Sequence, residues 1–324
     1  MVKRSGLRGK PSARRGRAAP PFALPKSGEL RTLLDFVRFA VSRFIEAGLV
    51  FAHGTTDPVA EAAFLVCETL RLHPDQFDLF AAARVTAPEA KAIIELIAHR
   101  IASRQPAAYL VNKVYMRGLP FYVDERVIVP RSFIGELLDS HFNDGDDAVG
   151  SLLDDPGAVE QVLDLCTGSG CLAILASRHF PDARIDAVDI SPGALQVAAR
   201  NIAAYGLEQR VRLLHGDLFD PLDGARYDLI LCNPPYVDAE GMAGLPRECR
   251  AEPKLAFDGG ADGLAVVRRI LEQAGAHLTA TGGLLCEIGR GRERLQAEQP
   301  QLPLLWLDTE ASDGEVFWIA AEDL

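Results

Sequence analysis

From residue 160 onward the chain alternates short apolar runs with amphipathic helical stretches, and this rhythm limits it to one fold class. Val162-Leu163-Asp164-Leu165 reads as a strand, followed by a glycine turn and a helix over about 171–179. A second strand, 184–188, ends at Asp189, and Ser191-Pro192 caps a helix reaching Tyr205. Strands three and four are predicted at 211–214 and 228–232, a helix near 264–278, and strand five at 283–287. Stretches 304–307 and 316–319 predict a terminal pair turning at Ser312-Asp313-Gly314. Apolar runs of this length suit strands covered on both faces. The expectation is α/β, a doubly wound, seven-stranded, mostly parallel sheet.

The region before the sheet is different. Residues 29–47 place Leu30, Leu33, Leu34, Val37, Val41, Phe44 and Ile45 on one helical face. Asp57-Pro58 starts a second helix, with Asp as cap and Pro in the first turn. Thr86-Ala87-Pro88-Glu89 reads as a capping box opening a third, with Ile93, Ile94, Ile97 and Ile101 on one side. Three such stripes predict a small bundle. Phe121-Tyr122-Val123 and Arg126-Val127-Ile128-Val129, flanking Asp124-Glu125, read as a β-hairpin, and Pro130-Arg131-Ser132 as the start of a further helix. The Asp- and Gly-rich stretch 141–157, with Asn143-Asp144-Gly145-Asp146-Asp147, reads as a solvated loop. The expected organisation is a basic tail (1–26), a small helical domain (27–108), a hairpin and connecting helix (109–142) and an α/β domain (143–324).

The tail carries eight basic residues and no acid, while the whole chain has a net charge of −11, so the rest carries −19. An acidic body disfavours non-specific duplex binding and suits a basic partner. Two readings of the tail stay open: an inert solubilising extension, or weak electrostatic contact with RNA or a ribosome-like surface. A transit peptide fits poorly, because Pro and Gly spoil an amphipathic helix. No apolar run approaches the roughly 20 residues of a membrane span. The six cysteines form no Cys-x-x-Cys pair and have no His at ligand spacing, so a metal site is not expected and the thiols read as those of a cytoplasmic protein.

The run Asp164-Leu165-Cys166-Thr167-Gly168-Ser169-Gly170-Cys171 is a strand, a glycine turn and a helix start, a layout that lets backbone approach a nucleotide-like ligand. Gly168-x-Gly170-x-x-Ala173 with Asp189 also fits a dinucleotide fingerprint. Three features favour S-adenosylmethionine. Asp164 before the turn suits an ammonium and repels a pyrophosphate. Asp217-Leu218-Phe219 offers an acceptor and an aromatic to an adenine. Asn233-Pro234-Pro235-Tyr236 then ends strand four on a stiff ledge for which hydride transfer has no use.

That ledge suits a planar –NH2 group. The lone pair of an amide or aromatic amine is delocalised, so reactivity needs orientation more than a base. The Asn233 side-chain oxygen and the Pro234 carbonyl can accept its two N–H groups, and Tyr236 can lie against its plane. Singly, each element also reads as ordinary structure: a turn with two prolines, a turn acid, a core aromatic. Their order at four successive strand ends is what points to methyl transfer.

With Gly118-Leu119-Pro120-Phe121-Tyr122-Val123-Asp124-Glu125-Arg126-Val127-Ile128-Val129-Pro130-Arg131-Ser132 and the 164–171 motif, the chain resembles S-adenosylmethionine-dependent protein glutamine methyltransferases, in the branch acting on large-subunit ribosomal protein L-three. The resemblance covers roughly residues 30 to 322. It implies a Rossmann-like methyltransferase fold and an amino-terminal domain that recognises a basic ribosomal protein. It also implies that Asn233 to Tyr236 hold the glutamine amide, that residues 166–170 with Asp189 and Ile190 bind the cofactor, with Asn233 at its edge, and that Phe219 lies by the adenine, with Asp217 and Leu218 beside it. The chain departs from the branch at Val111-Asn112-Lys113 and at Phe133, where a Pro is usual. The release-factor branch, a nucleic-acid adenine methyltransferase and a non-catalytic binding protein are the alternatives. The acidic body argues against the second, and the joint presence of Asp164, Asp189, Asp217 and Asn233 against the third.

Overall fold

The computed structural model describes residues 22–324 apart from 24, 27, 54, 56, 143–149 and 311. Most of the basic tail and the Asn143–Asp147 run therefore lie outside the described residues.

The amino-terminal bundle consists of α1 (Leu33–Glu46), α2 (Pro58–Leu70), the single turn α3 (Phe77–Phe80), α4 (Ala87–Ser103) and α5 (Ala107–Val111). Helix α1 starts later than its apolar stripe predicts. Thr32 is the cap: its Oγ1 accepts from Asp35 N at 3.2 Å, and Asp35 Oδ2 accepts from Thr32 N at 2.9 Å. The apolar stripes meet in one cluster built on Phe36, Phe44, Leu65, Ile93 and Ile97. Inside it Arg100 Nε donates to Glu61 Oε1 at 2.8 Å, an ion pair the apolar pattern does not disclose.

The hairpin is real but displaced. Strands β1 (Val114–Met116) and β2 (Leu119–Phe121) pair around Arg117-Gly118, both at positive φ (49° and 74°). Two left-handed residues in a two-residue turn match the twist of the flanking strands. The expected pairing of 121–123 with 126–129 does not form. Asp124 instead closes a local turn: its carboxylate accepts from Arg126 N, Arg126 Nε and Tyr122 Oη, and its carbonyl from Val127 N. Helix α6 (Ile134–His141) follows, as Pro130-Arg131-Ser132 predicts.

The sheet then assembles: β3 (Gln161–Leu165), α7 (Cys171–His179), β4 (Arg184–Asp189), α8 (Pro192–Ala204), β5 (Val211–His215), β6 (Tyr227–Cys232), α9 (Ala239–Gly244), α10 (Ala265–Ala274), β7 (Leu278–Glu287), α11 (Arg292–Glu298), β8 (Leu305–Thr309) and β9 (Ser312–Ala320). Seven strands lie in the order β5-β4-β3-β6-β7-β9-β8, parallel up to β7 and antiparallel beyond it. This is the doubly wound sheet the alternation predicts. Ser312 to Gly314 lie inside β9, so the terminal turn falls earlier, between the paired Thr309 and Ser312. Each face of the sheet carries its own apolar cluster, and β1, β2 and α6 join the one that includes α7 and α8.

Candidate active site

The strand order reverses between β3 and β6, and in doubly wound sheets that crevice is where ligands bind. Leu165 pairs with Cys232, so Cys166 and Asn233 leave the sheet side by side. A cleft of about 980 Å³, counted to its open mouth, lies over these strand ends. Cys166, Gly168, Asp189, Ile190, Asp217, Leu218, Asn233 and Pro235 line it, all singled out by the sequence.

On the β3–β5 side the backbone is bared to the cleft. Cys166 and Leu218 hold positive φ (59° and 51°), which non-glycine residues adopt at a cost of about 1–3 kcal/mol. Asp189 accepts from Gly168 N and Ser191 N, each at 2.8 Å, which ties the glycine turn to the end of β4. Burial raises the Asp189 carboxyl. Gly170 has no room for a side chain without pressing on α8, because a Cβ there would stand 3.2 Å from that of Ala198. Asp217 pairs with Arg269 of α10 at 2.9 Å, and both line the cleft.

Five expected residues of this half lie off the cleft wall. Asp164 is fully buried beneath the turn, where its Oδ2 accepts from Thr167 Oγ1 (2.6 Å) and Ala173 N (3.0 Å). It fastens the turn to α7 and does not line the cleft. Burial raises its carboxyl to about 7, and its Oδ1 has no partner. Thr167, Ser169 and Gly170 are buried in the turn itself. Phe219 packs into the core, stacked on His277 with ring centroids 4.7 Å apart, so it is not on the surface offered to an adenine.

The β6 side is built from side chains. Asn233 Nδ2 donates to the Arg131 carbonyl at 3.2 Å, which leaves Oδ1 as the acceptor. Pro234 is buried. Tyr236 turns away from the cleft and donates its hydroxyl to Glu287 Oε1 at 2.9 Å. The other oxygen of Glu287 accepts from Ser132 Oγ (2.7 Å) and Phe133 N (3.0 Å). Phe133 stands where the branch usually has Pro, which has no N–H to give, so this last bond depends on the departure. Burial raises the Glu287 carboxyl to about 7. Beyond the ledge, Val237 N donates to Phe257 O and Gly259 N to Val237 O. Only glycine fits at 259, where a Cβ would come within 2.7 Å of the Tyr236 backbone. Glu252, Glu287 and Arg269 support the site and carry no sequence signal, since no short spacing links them to the motifs, while Arg131 lies in the Pro130-Arg131-Ser132 motif without any sign there of its contact with Asn233.

The residues of the first half fit an adenosyl sulfonium donor. An acid at the end of β4 suits a vicinal diol, bare backbone at Cys166, Gly168 and Leu218 suits close approach, and Val188, Ala194 and Val266 give apolar cover. No helix among the described residues is long and apolar enough to cross a membrane.

The fold and this cleft define a methyltransferase, and the model of the methyltransferase small domain matches residues 140–244. The chain is 73% identical over 310 residues to a protein of Bradyrhizobium diazoefficiens, covering 96% of this chain and 97% of that one. It is 48% identical over 296 residues to a protein of Bordetella pertussis (91% and 97% covered) and 49% identical over 296 residues to one of Neisseria meningitidis serogroup B (91% and 95%). Each is named ribosomal protein uL3 glutamine methyltransferase. The chain belongs to the family of ribosomal protein uL3 glutamine methyltransferases. A solved human methyltransferase 10 domain containing protein aligns with TM-score 0.42 at 14% identity over 63% of this chain and 89% of that one.

Proposed function

We propose that the cleft methylates the side-chain amide nitrogen of a glutamine in ribosomal protein uL3, with S-adenosylmethionine as donor. The observation that carries this reading is the fixed Asn233 amide. Its nitrogen is committed to the Arg131 carbonyl, so its oxygen is presented at the cleft as an acceptor with one orientation.

When bound, S-adenosylmethionine supplies an electrophilic sulfonium methyl. Everything else falls to the chain. Asn233 Oδ1 and the Pro234 carbonyl take the two N–H groups of the glutamine amide, which turns its nitrogen toward the donor and stabilises the positive charge that develops there. Asp189 holds the ribose of the donor, while Cys166 to Gly170, Ile190, Asp217 and Leu218 shape its bed. Phe219 and Asp164 act from beneath, by keeping that bed in place. With the donor bound, its methyl–sulfur bond would break as the N–C bond forms, leaving a neutral thioether, and the nitrogen would release its surplus proton to solvent, so no buried base is needed. Tyr236 braces the ledge through Glu287. The amino-terminal bundle presents the basic substrate to the acidic body, and the work belongs in the cytoplasm, where ribosomal proteins are made. The basic tail is an electrostatic accessory to that encounter, with ribosomal RNA its natural counterion.

The test is label transfer from the methyl-labelled donor to uL3, a peptide-chain release factor and nucleic acid in separate reactions, followed by mass spectrometry of the product. Label on a glutamine of uL3 is expected. Label confined to nucleic acid overturns the amide reading, and label confined to the release factor overturns the substrate.

A further inference from the structure

The segment 248–258 touches both the amino-terminal bundle and the cleft, and its contacts are carboxylates buried on one side and cleft-lining residues on the other. Glu248, 1% exposed, accepts from Arg104 Nη1 at 2.6 Å and from Val50 N at 3.3 Å, while Arg104 also donates to the Gly48 carbonyl. Glu252 has a fully buried side chain. Its Oε1 accepts from Val129 N (2.8 Å) and Arg131 Nη1 (3.1 Å), and its Oε2 from Arg131 Nη2 (3.3 Å). His53, in the loop between α1 and α2 and also buried, packs Nε2 3.0 Å from the same Oε2, a close contact outside hydrogen-bond geometry. Immediately after Glu252, residues Pro253, Leu255, Ala256 and Asp258 line the cleft. Arg131, held by Glu252, is the residue whose carbonyl fixes Asn233.

We infer that Glu252 is a positioning residue for the amide clamp: it sets Asn233 through Arg131 and ties that setting to the amino-terminal bundle through His53. The inference rests on the amide role proposed for Asn233. Its logic is geometric. A buried carboxylate that accepts from a guanidinium fork and a backbone N–H fixes both partners, because leaving any of them unpaired costs several kcal/mol. Among the described residues the Asn233 side chain is bonded to the Arg131 carbonyl alone, so an error in Arg131 becomes an error in the amide. A displacement on the order of 1 Å at a reacting centre costs roughly 10²-fold in rate. The route also explains why a recognition domain is clamped by two carboxylates to the very segment that forms the cleft wall.

His53, Cys249 and Glu252 bring donor atoms within 4.8 Å of one another, a set that a metal ion could use. The contacts point elsewhere. Both oxygens of Glu252 already serve the Arg131 guanidinium, a cation that opposes a second one. Burial also lifts the Cys249 thiol to about 11, away from the thiolate a metal needs.

The experiment uses the full chain with uL3. Glu252→Gln keeps the shape and removes the charge. The expected result is a 10–100-fold fall in kcat, with the calorimetric Kd for S-adenosylmethionine within about 2-fold of wild type. In an Asn233→Ala background the same substitution should cost less than about 2-fold, because its effect passes through Asn233. Backbone hydrogen exchange at Asn233, Tyr236 and Val237 should quicken in Glu252→Gln without any substrate present. Arg131→Lys, which keeps the charge and loses the fork, should repeat the pattern and stands in if Glu252→Gln fails to fold. Additive losses in the double variant, or cofactor affinity falling in step with kcat, overturn the inference. So does stoichiometric metal in the purified wild-type protein that is lost in His53→Gln. If wild-type protein labels no glutamine, the proposed function fails, and the hydrogen-exchange arm still decides whether Glu252 holds the ledge.

Discussion

On the donor side of the cleft, the bonds that fix the glycine turn and the end of β4 are short in sequence: Thr167 to Asp164 spans 3 residues, Ser191 to Asp189 spans 2, and Gly168 to Asp189 spans 21. On the acceptor side they are long: Asn233 reaches back 102 residues to Arg131, Arg131 reaches 121 to Glu252, and Ser132 reaches 155 to Glu287. The donor bed is largely backbone held at the ends of β3, β4 and β5. The amide clamp is a set of side chains from several parts of the chain, brought together by residues 129–133, segment 248–258 and the end of β7. A clamp made by contacts between distant segments is one that tertiary structure can adjust, whereas the bed is fixed mostly by local geometry.

The strongest way to sharpen this contrast is Asn233→Ala. Losing the fixed acceptor should lower turnover by 10²–10³-fold and leave cofactor Kd within about 3-fold, since Asn233 meets the amide and not the donor. Steady-state rates with labelled donor and calorimetry read the two halves separately. A matching loss of cofactor affinity would mean that the two walls are one unit.

Asp189→Asn attacks the other wall. The amide must turn an N–H toward either Gly168 N or Ser191 N, both of which are donors, so one of the two bonds that fix the turn is lost. Cofactor Kd should weaken roughly 10-fold or more, with kcat at saturating donor falling much less. Unchanged affinity measured by calorimetry would remove Asp189 from the donor site.

Each wall also hides a buried acid that burial holds protonated to about 7, and the titration of these two separates stability from catalysis. Unfolded, Glu287 loses its proton near 4.5 and Asp164 near 3.8; folded, burial holds both to about 7. Between those limits the native state keeps protons that the unfolded chain has released, so each acid makes stability fall as pH rises, with the full contribution present only below the lower value. The loss is on the order of 3 kcal/mol for Glu287 and 4 kcal/mol for Asp164. Chemical denaturation at pH 5 and pH 7.5 should show this decline, and Glu287→Gln and Asp164→Asn should each flatten it. A pH–stability slope unchanged in both variants would show that neither carboxyl holds its proton.

The contrast also explains how far the sequence can be read. The strand–turn–helix at 164–171, the acids closing β4 and β5, and Asn-Pro-Pro-Tyr closing β6 are contiguous words, and the alternation that orders them gives the sheet. Side-chain direction is another matter. Asp164, Phe219 and Tyr236 sit beside the site in sequence, yet each turns into the protein to satisfy Ala173 N, His277 or Glu287. The hairpin was displaced by the left-handed pair Arg117-Gly118, whose conformation is a tertiary choice for an arginine. Arg131, Glu252 and His53 carry no spacing signal, because their partnership is made by folding alone.

The smallest effect should come from the basic tail. The outermost described contact at the amino end is the ring of Phe22 against Phe39, centroids 5.5 Å apart, and it belongs to the bundle's apolar cluster. Removing residues 1–20 keeps Phe22 and every bond that holds the bed and the clamp. The melting temperature should stay within about 1 °C, and the cofactor Kd should not move. Removal also takes away seven of the eight basic charges of residues 1–26, leaving Lys26. If those charges help the chain to find its substrate on a nascent ribosomal particle, the change belongs in the salt dependence of kcat/KM toward that particle and not in kcat toward free uL3. A drop of several degrees in melting temperature would instead make the tail part of the fold, and would extend the long-range assembly of the clamp side to the first residues of the chain.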